Sequence, residues 1–100
     1  SEDRTRGIAL EATLLVLDYV FNRVKLNKLI AHVYAHNAFS QKNALALGFT
    51  QESYLREHLV DPHGNLLDVY GNGMTMRDFH SSPRISKLSL RILGRDITAV

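Results

Sequence analysis

The chain contains no cysteine, which excludes disulfides, thiolate zinc sites and a cysteine nucleophile. No apolar run approaches the roughly 20 residues of a bilayer-spanning helix. No charged, apolar, then small-residue pattern of a secretory leader is present either, so a soluble cytoplasmic protein with no membrane partner is expected. An excess of charge of one sign is lacking. A net charge of +2 suits an anionic cofactor or a weakly acidic partner and is too small to argue for nucleic acid. There is no internal repeat and no low-complexity segment. One hundred residues make one small domain with little surplus stability.

Against these absences stands one distinctive opening stretch, Arg4-Thr5-Arg6-Gly7-Ile8-Ala9, which reads Arg-x-x-Gly-x-Ala and runs into an apolar helical segment. A small-residue loop feeding a helix start collects unpaired N–H groups at the positive end of the helix dipole, which suits a phosphate or pyrophosphate. Gly7 and Ala9 permit close backbone approach, and Arg4 and Arg6 add charge. By itself such a loop is also an ordinary loop-to-helix junction.

Residues 8–24 follow as a predicted helix, with Ile8, Ala12, Leu15, Val16, Tyr19, Val20 and Val24 at helical spacing. Leu14 and Leu17 widen its apolar surface, as in a crossover helix packed on a sheet. Residues 29–36 alternate as a strand, placing Leu29, Ala31, Val33 and Ala35 on one face and Ile30, His32, Tyr34 and His36 on the other. Residues 39–47 predict a short helix, with Asn37 or Ala38 near its cap and Gly48 as its stop. Two strands, 49–60 and 66–76, flank the turn Asp61-Pro62-His63-Gly64-Asn65. Gly71 and Gly73 suggest a bulge or a close backbone approach. Beyond Ser81-Ser82-Pro83 the periodicity is ambiguous: residues 87–92 alternate like a strand, while Ile85, Leu88 and Ile92 fit a helical face.

Taken in order, these elements resemble the C-terminal half of the GNAT superfamily of acyl-CoA N-acyltransferases, in the branch of ribosomal-protein N-terminal and spermidine acetyltransferases. That branch has an (Arg/Gln)-x-x-Gly-x-(Gly/Ala) loop before a long helix and a strand ending in Asn-x-x-Ser. A short helix then closes on Gly-Phe, and a final strand carries Asp and Tyr. Here these are Arg4 to Ala9, Asn37-Ala38-Phe39-Ser40, Leu47-Gly48-Phe49 and Asp68-Val69-Tyr70. The match spans about residues 4–79, several weak motifs in the right order.

The resemblance implies an α/β (α+β) fold of truncated GNAT type, with two helices on a three-stranded mixed sheet. Residues 1–80 would form an acyl-CoA-binding half-domain and residues 81–100 an extension, strand or helix, used in assembly. A family domain carries further strands and acceptor-binding helices ahead of the loop. The strand at 29–36 is therefore expected to be an unpaired edge, covered by a homodimer partner, by a complementary half-domain or by the tail. The implied function is acetyl transfer from acetyl-CoA to a primary amine, or CoA binding alone. The acceptor could be a protein N-terminus, a polyamine, an aminoglycoside or another amine. The alternative is a non-catalytic assembly module.

By the same resemblance, Arg4, Thr5, Arg6, Gly7, Ile8 and Ala9 would hold the pyrophosphate of CoA. Asn37 would bond the cofactor arm, a role that competes with helix capping. Ser40 would protonate the departing thiolate, although capping is its duller alternative. Many family members use a tyrosine four residues before the Gly-Phe pair, and here that position is Ala44. His36, with His32 and Tyr34 on the same strand face, is a candidate base because histidine titrates near neutrality. Alternate-residue histidines lack a complete ligand set, so no metal is expected. Arg56 and Asp68 could pair across the hairpin, and Glu57 is a conceivable base.

Overall fold

The computed structural model describes the backbone of residues 2–99 and the side chains of residues 9–99. Helix α1 spans Glu2–Asp18 and continues into a π-helical turn, Tyr19–Arg23. It begins ahead of the expected Ile8, so helical backbone runs through Gly7. Acidic Glu2 and Asp3 suit a helix N-terminus, and a lone interior glycine costs only about 1 kcal/mol against alanine. The π turn ends the helix at Lys25, whose φ of 61° is left-handed.

The buried stripe of α1 is not the one the spacing suggested. Leu14, Leu17 and Phe21 are buried, with Leu10 and Val20 partly so, whereas Leu15, Val16, Tyr19 and Val24 are exposed. A helix apolar on most of its circumference has two competing stripes, and only its neighbours choose between them.

Strand β1 (Lys28–Tyr34), strand β2 (Thr50–Val60) and strand β3 (Leu66–Thr75) form one sheet in the order β1-β3-β2. Both ladders are antiparallel, which corrects the expected mixed sheet. The tight turn after β2 returns β3 antiparallel, and β3 then lies between β1 and β2. Those two run in the same direction but do not pair. The turn is fixed by Asp61, whose carboxylate accepts from the backbone N–H groups of His63 (2.8 Å) and Asn65 (2.9 Å). Those hydrogen bonds, Asn65 first, hold the Asp61 carboxyl below the usual carboxylate range.

Helix α2 (Ala38–Leu47) crosses from β1 to β2 and ends at Gly48, where φ is 130°. Ser53 and the Lys28–Glu52 ion pair (2.7 Å) close over the central strand, and a Cβ at Gly71 or Gly73 would meet them. These glycines therefore serve close approach by side chains from the neighbouring strands. The local register shift lies instead on β2, between Gln51 and Ser53.

Among the described residues four α-helices, not two, accompany the sheet. Helix α3 (Met76–His80) opens on a capping box between Thr75 and Asp78, and helix α4 spans Pro83–Leu93. Residues 87–92 are thus helical. Ser82 caps α4 by accepting from the Ile85 N–H, Pro83 starts it, and Gly94 in the left-handed region (φ 77°) ends it. Alternation over six residues could not outweigh start and stop signals at both ends.

One core joins α1, the end of β3, α3, α4 and the tail: Leu14, Leu17 and Phe21 meet Met74, Phe79, Ile85, Leu88 and Ile97. Phe21 and Phe79 stack with centroids 4.8 Å apart. The tail is tied down through polar groups. Asn22 donates to the Ile97 carbonyl (2.8 Å), Ser89 Oγ accepts from the Ile97 N–H (3.1 Å), and Arg95 pairs with Asp18 (2.6 Å). The tail does not pair with β1, which remains an edge strand among the described residues.

Candidate functional site

Where α1, α2 and α4 converge they leave an open cleft of about 590 Å³, within the roughly 300–1,000 Å³ range of small-molecule sites. Ala9, Leu10 and Thr13 form the α1 wall, and Ser40, Asn43, Ala44 and Leu47 the α2 wall. Phe49 closes the base, and Arg84 and Leu88 come from α4. The lining is mainly apolar, with few polar groups, as ligand clefts commonly are.

Local chemistry fixes this geometry. Asn37 caps α2, its side-chain oxygen accepting from the Ser40 N–H at 3.0 Å. The capping role is thus filled by Asn37, and the Ser40 hydroxyl has no partner among the described residues. Half-buried, it lines the cleft. At the other end Ser82 Oγ donates to the Leu47 carbonyl (2.9 Å) while accepting from the Ile85 N–H. One hydroxyl therefore pins the start of α4 to the end of α2.

Beneath α2 a buried amide pair joins helix to sheet. Gln41 Nε2 donates to Asn72 Oδ1 (2.9 Å), and Asn72 Nδ2 donates back to Gln41 Oε1 (2.8 Å). Gln41 also reaches Gln51 at 3.3 Å. This pair fixes the height of α2, and with it Ser40, above the central strand.

Of the expected cofactor residues, Ala9 lines the cleft, while the side chains of Arg4, Thr5, Arg6, Gly7 and Ile8 lie outside the described residues. His36 is not in the lining; it stacks on Tyr34, with centroids 5.6 Å apart and planes 6° from parallel. No hydrogen bond joins it to Ser40. His32 meets His58 edge-on at 5.8 Å, and His58 is a partner the sequence reading did not single out. A bulge between Leu55 and Leu59 brings it there. Among the described residues no group of three His, Asp or Glu side chains could hold a metal ion, and none of the described helices is long and apolar enough to cross a membrane.

Asp68 does not pair with Arg56 as expected. It accepts from the Tyr54 hydroxyl (2.6 Å) and from the Glu57 N–H (2.7 Å). The Tyr54 bond, then the Glu57 amide, lowers the Asp68 carboxyl, and the same bond raises the Tyr54 phenol. Glu57, considered as a base, has a left-handed φ of 49° within the bulge. Asp68 holds that bulge in place, a structural use of the carboxylate. Arg84, Asn43 and Thr13 are cleft residues that sequence reasoning missed. Arg84 lies beyond the segment that carried the family pattern, in a stretch whose periodicity left strand and helix open, so its place at a helix start could not be read.

One family model and three proteins resemble this chain. A family model described as an acetyltransferase (GNAT) domain matches residues 1–50. The chain is 34% identical over 74 residues to a protein of Bacillus licheniformis named uncharacterized N-acetyltransferase p20, covering 74% of this chain and 41% of that protein. The spermidine/spermine N-acetyltransferase SpeG from Vibrio cholerae superposes with a TM-score of 0.70 at 25% identity, covering 79% of this chain and 46% of that one. A GCN5-related N-acetyltransferase from Brucella melitensis shares the fold, with a TM-score of 0.73 at 23% identity over 84% of this chain and 38% of that one. The chain thus spans less than half the length of each of these proteins.

Proposed function

We propose that this chain, which belongs to the GNAT acetyltransferase domain family, binds acetyl-CoA in the cleft between α1, α2 and α4 and supports acetyl transfer to a primary amine. The observation that carries the reading is the cleft itself. Among the described residues its α1 wall includes Ala9, the last residue of the Arg-x-x-Gly-x-Ala pattern, and its α2 wall presents the Ser40 hydroxyl, unpartnered among those residues.

Arg4 to Ala9 would anchor the pyrophosphate, with Arg4 and Arg6 supplying charge and Gly7 close approach. In a helix that begins at Glu2 the Arg4 amide is among the unpaired first N–H groups, whereas those from Gly7 to Ala9 are paired, so capture by the latter entails opening of that part of α1. Asn37 caps α2 and lies outside the cleft lining, from where it would bond the cofactor arm.

In the reaction the neutral amine nitrogen attacks the thioester carbonyl carbon, and backbone N–H groups stabilise the oxyanion. Collapse breaks the carbon–sulfur bond; Ser40 gives its proton to the CoA thiolate and takes up the one lost by the attacking nitrogen, leaving a neutral amide and the CoA thiol. The proton that the ammonium loses before attack goes to water, since His36, the expected base, lies outside the cleft lining. No covalent enzyme intermediate forms. The second reading, a non-catalytic assembly module, is favoured by the unpaired β1 edge and the exposed apolar residues of α1.

The test is release of free CoA thiol from acetyl-CoA in the presence of primary amines, alongside calorimetry of acetyl-CoA binding. Binding with turnover supports an enzyme, and binding without turnover supports a bare cofactor cradle. No binding by the folded, assembled protein rejects the CoA reading. Gly7→Val should weaken binding more than Arg4→Ala.

A further inference from the structure

We infer that Arg84 is a recognition residue for the 3′-phosphate on the adenosine end of CoA; the inference rests on the CoA reading above. The cleft is walled mainly by apolar side chains, Leu10, Ala44, Leu47 and Leu88 among them, and among the described residues Arg84 is the charged one in its lining. Among the described residues Arg84 has no ion pair and no side-chain hydrogen bond.

Helix stability does not explain a cation there. Arg84 is the second residue of α4, at the positive end of the dipole, where cations are disfavoured. The first turn of α4 contains no acid, and the residues three and four further on are Lys87 and Leu88, so no local carboxylate offsets the charge. A residue that breaks a local rule without compensation marks a site where function is served. The position is also held: Ser82, two residues earlier, is bonded at once to the end of α2 and to α4.

The chemistry of CoA fits the placement. Its 3′-phosphate hangs from the same ribose whose 5′ carbon carries the pyrophosphate, so two phosphate anchors must lie on one short cleft. Ala9 ends the pyrophosphate pattern and lines the same cleft as Arg84. A guanidinium presents a planar fork to a phosphate dianion, giving charge-assisted, two-point binding.

The experiment is calorimetry of CoA and of 3′-dephospho-CoA against the wild-type chain, Arg84→Gln and Arg84→Lys. The wild type should prefer CoA by about tenfold or more, the scale of a charged hydrogen bond. Arg84→Gln should bind CoA as weakly as 3′-dephospho-CoA and bind the latter as the wild type does. Arg84→Lys, which keeps the charge without the fork, should fall between and guards against a fold defect in the glutamine variant. Equal wild-type affinity for the two ligands, or an unchanged preference in Arg84→Gln, overturns the inference while leaving CoA binding intact. Failure of both ligands to bind the wild type rejects the CoA reading and this inference with it.

Discussion

Gln41 and Asn72 exchange two amide hydrogen bonds across the interface between α2 and β3, at 2.9 and 2.8 Å, with both residues buried. A buried polar pair is favourable only while complete, since each partner satisfies groups that water can no longer reach. This one sits under the helix that carries Ser40, so it ties fold stability to the geometry of the cleft. Asn72→Ala should destabilise the chain by about 1–3 kcal/mol, the usual cost of orphaning a buried polar group. The double variant Asn72→Ala, Gln41→Leu should cost less than the sum of the single changes. Urea unfolding of the four proteins measures that coupling, and strict additivity would show that the pair acts as two separate groups.

The Ser40 hydroxyl is expected to act in turnover rather than in capping, because Asn37 already fills the cap. Ser40→Ala should lower the rate of acetyl transfer at least about tenfold, the lower side of what positioned acids contribute, and leave acetyl-CoA affinity nearly unchanged. Steady-state kinetics paired with calorimetry separate the two effects. An unaltered rate would assign Ser40 to packing.

The Asp18–Arg95 pair closes a 77-residue loop in sequence and fastens the tail to α1. Its hydrogen bond to Arg95 is the main reason the Asp18 carboxyl titrates below its ordinary range. A depressed carboxylate pKa adds stability that is present above the unfolded value, near 4, and lost as pH falls through the folded value. Arg95→Gln should therefore melt below the wild type at pH 7. The difference should narrow as pH drops below about 4. Thermal melts from pH 7 to pH 2 read this directly; a gap independent of pH would mean that the arginine acts through packing alone.

Glu57 occupies left-handed backbone held by Asp68. Glu57→Gly should stabilise the hairpin by up to about 1 kcal/mol, because glycine adopts that conformation without a Cβ clash. Asp68→Ala should destabilise it, since both the Tyr54 bond and the bulge amide bond are lost. Melting temperatures of the two variants should move in opposite directions.

Association is expected through the β1 edge and the exposed apolar residues Leu15, Val16, Tyr19 and Ile30. We expect a homodimer or capture of a complementary half-domain. Light scattering at micromolar concentration should give a mass above that of one chain, and Val33→Pro in the edge strand should lower it. A monodisperse, cooperatively folded monomer would overturn the expectation.

Much of this protein was determined by sequence alone. The caps wrote the limits of the later elements: Asn37 and Gly48 bound α2, Ser82-Pro83 and Gly94 bound α4, and the Asp61–Asn65 turn set the hairpin. These are local interactions within a few residues, so the order of residues suffices to specify them. The ordered pattern from Arg4 to Tyr70 likewise carried the family. Tertiary structure alone decided which stripe of α1 is buried, because Leu14 and Leu15 are equally apolar and only the sheet and α4 distinguish them. It decided that Asp68 meets Tyr54 and Glu57 rather than Arg56, because a register shift in β2 changes what lies opposite. It also brought Arg84 beside Ala9 and Ser40, three segments distant in sequence whose meeting depends on how the helices pack, which no local preference encodes.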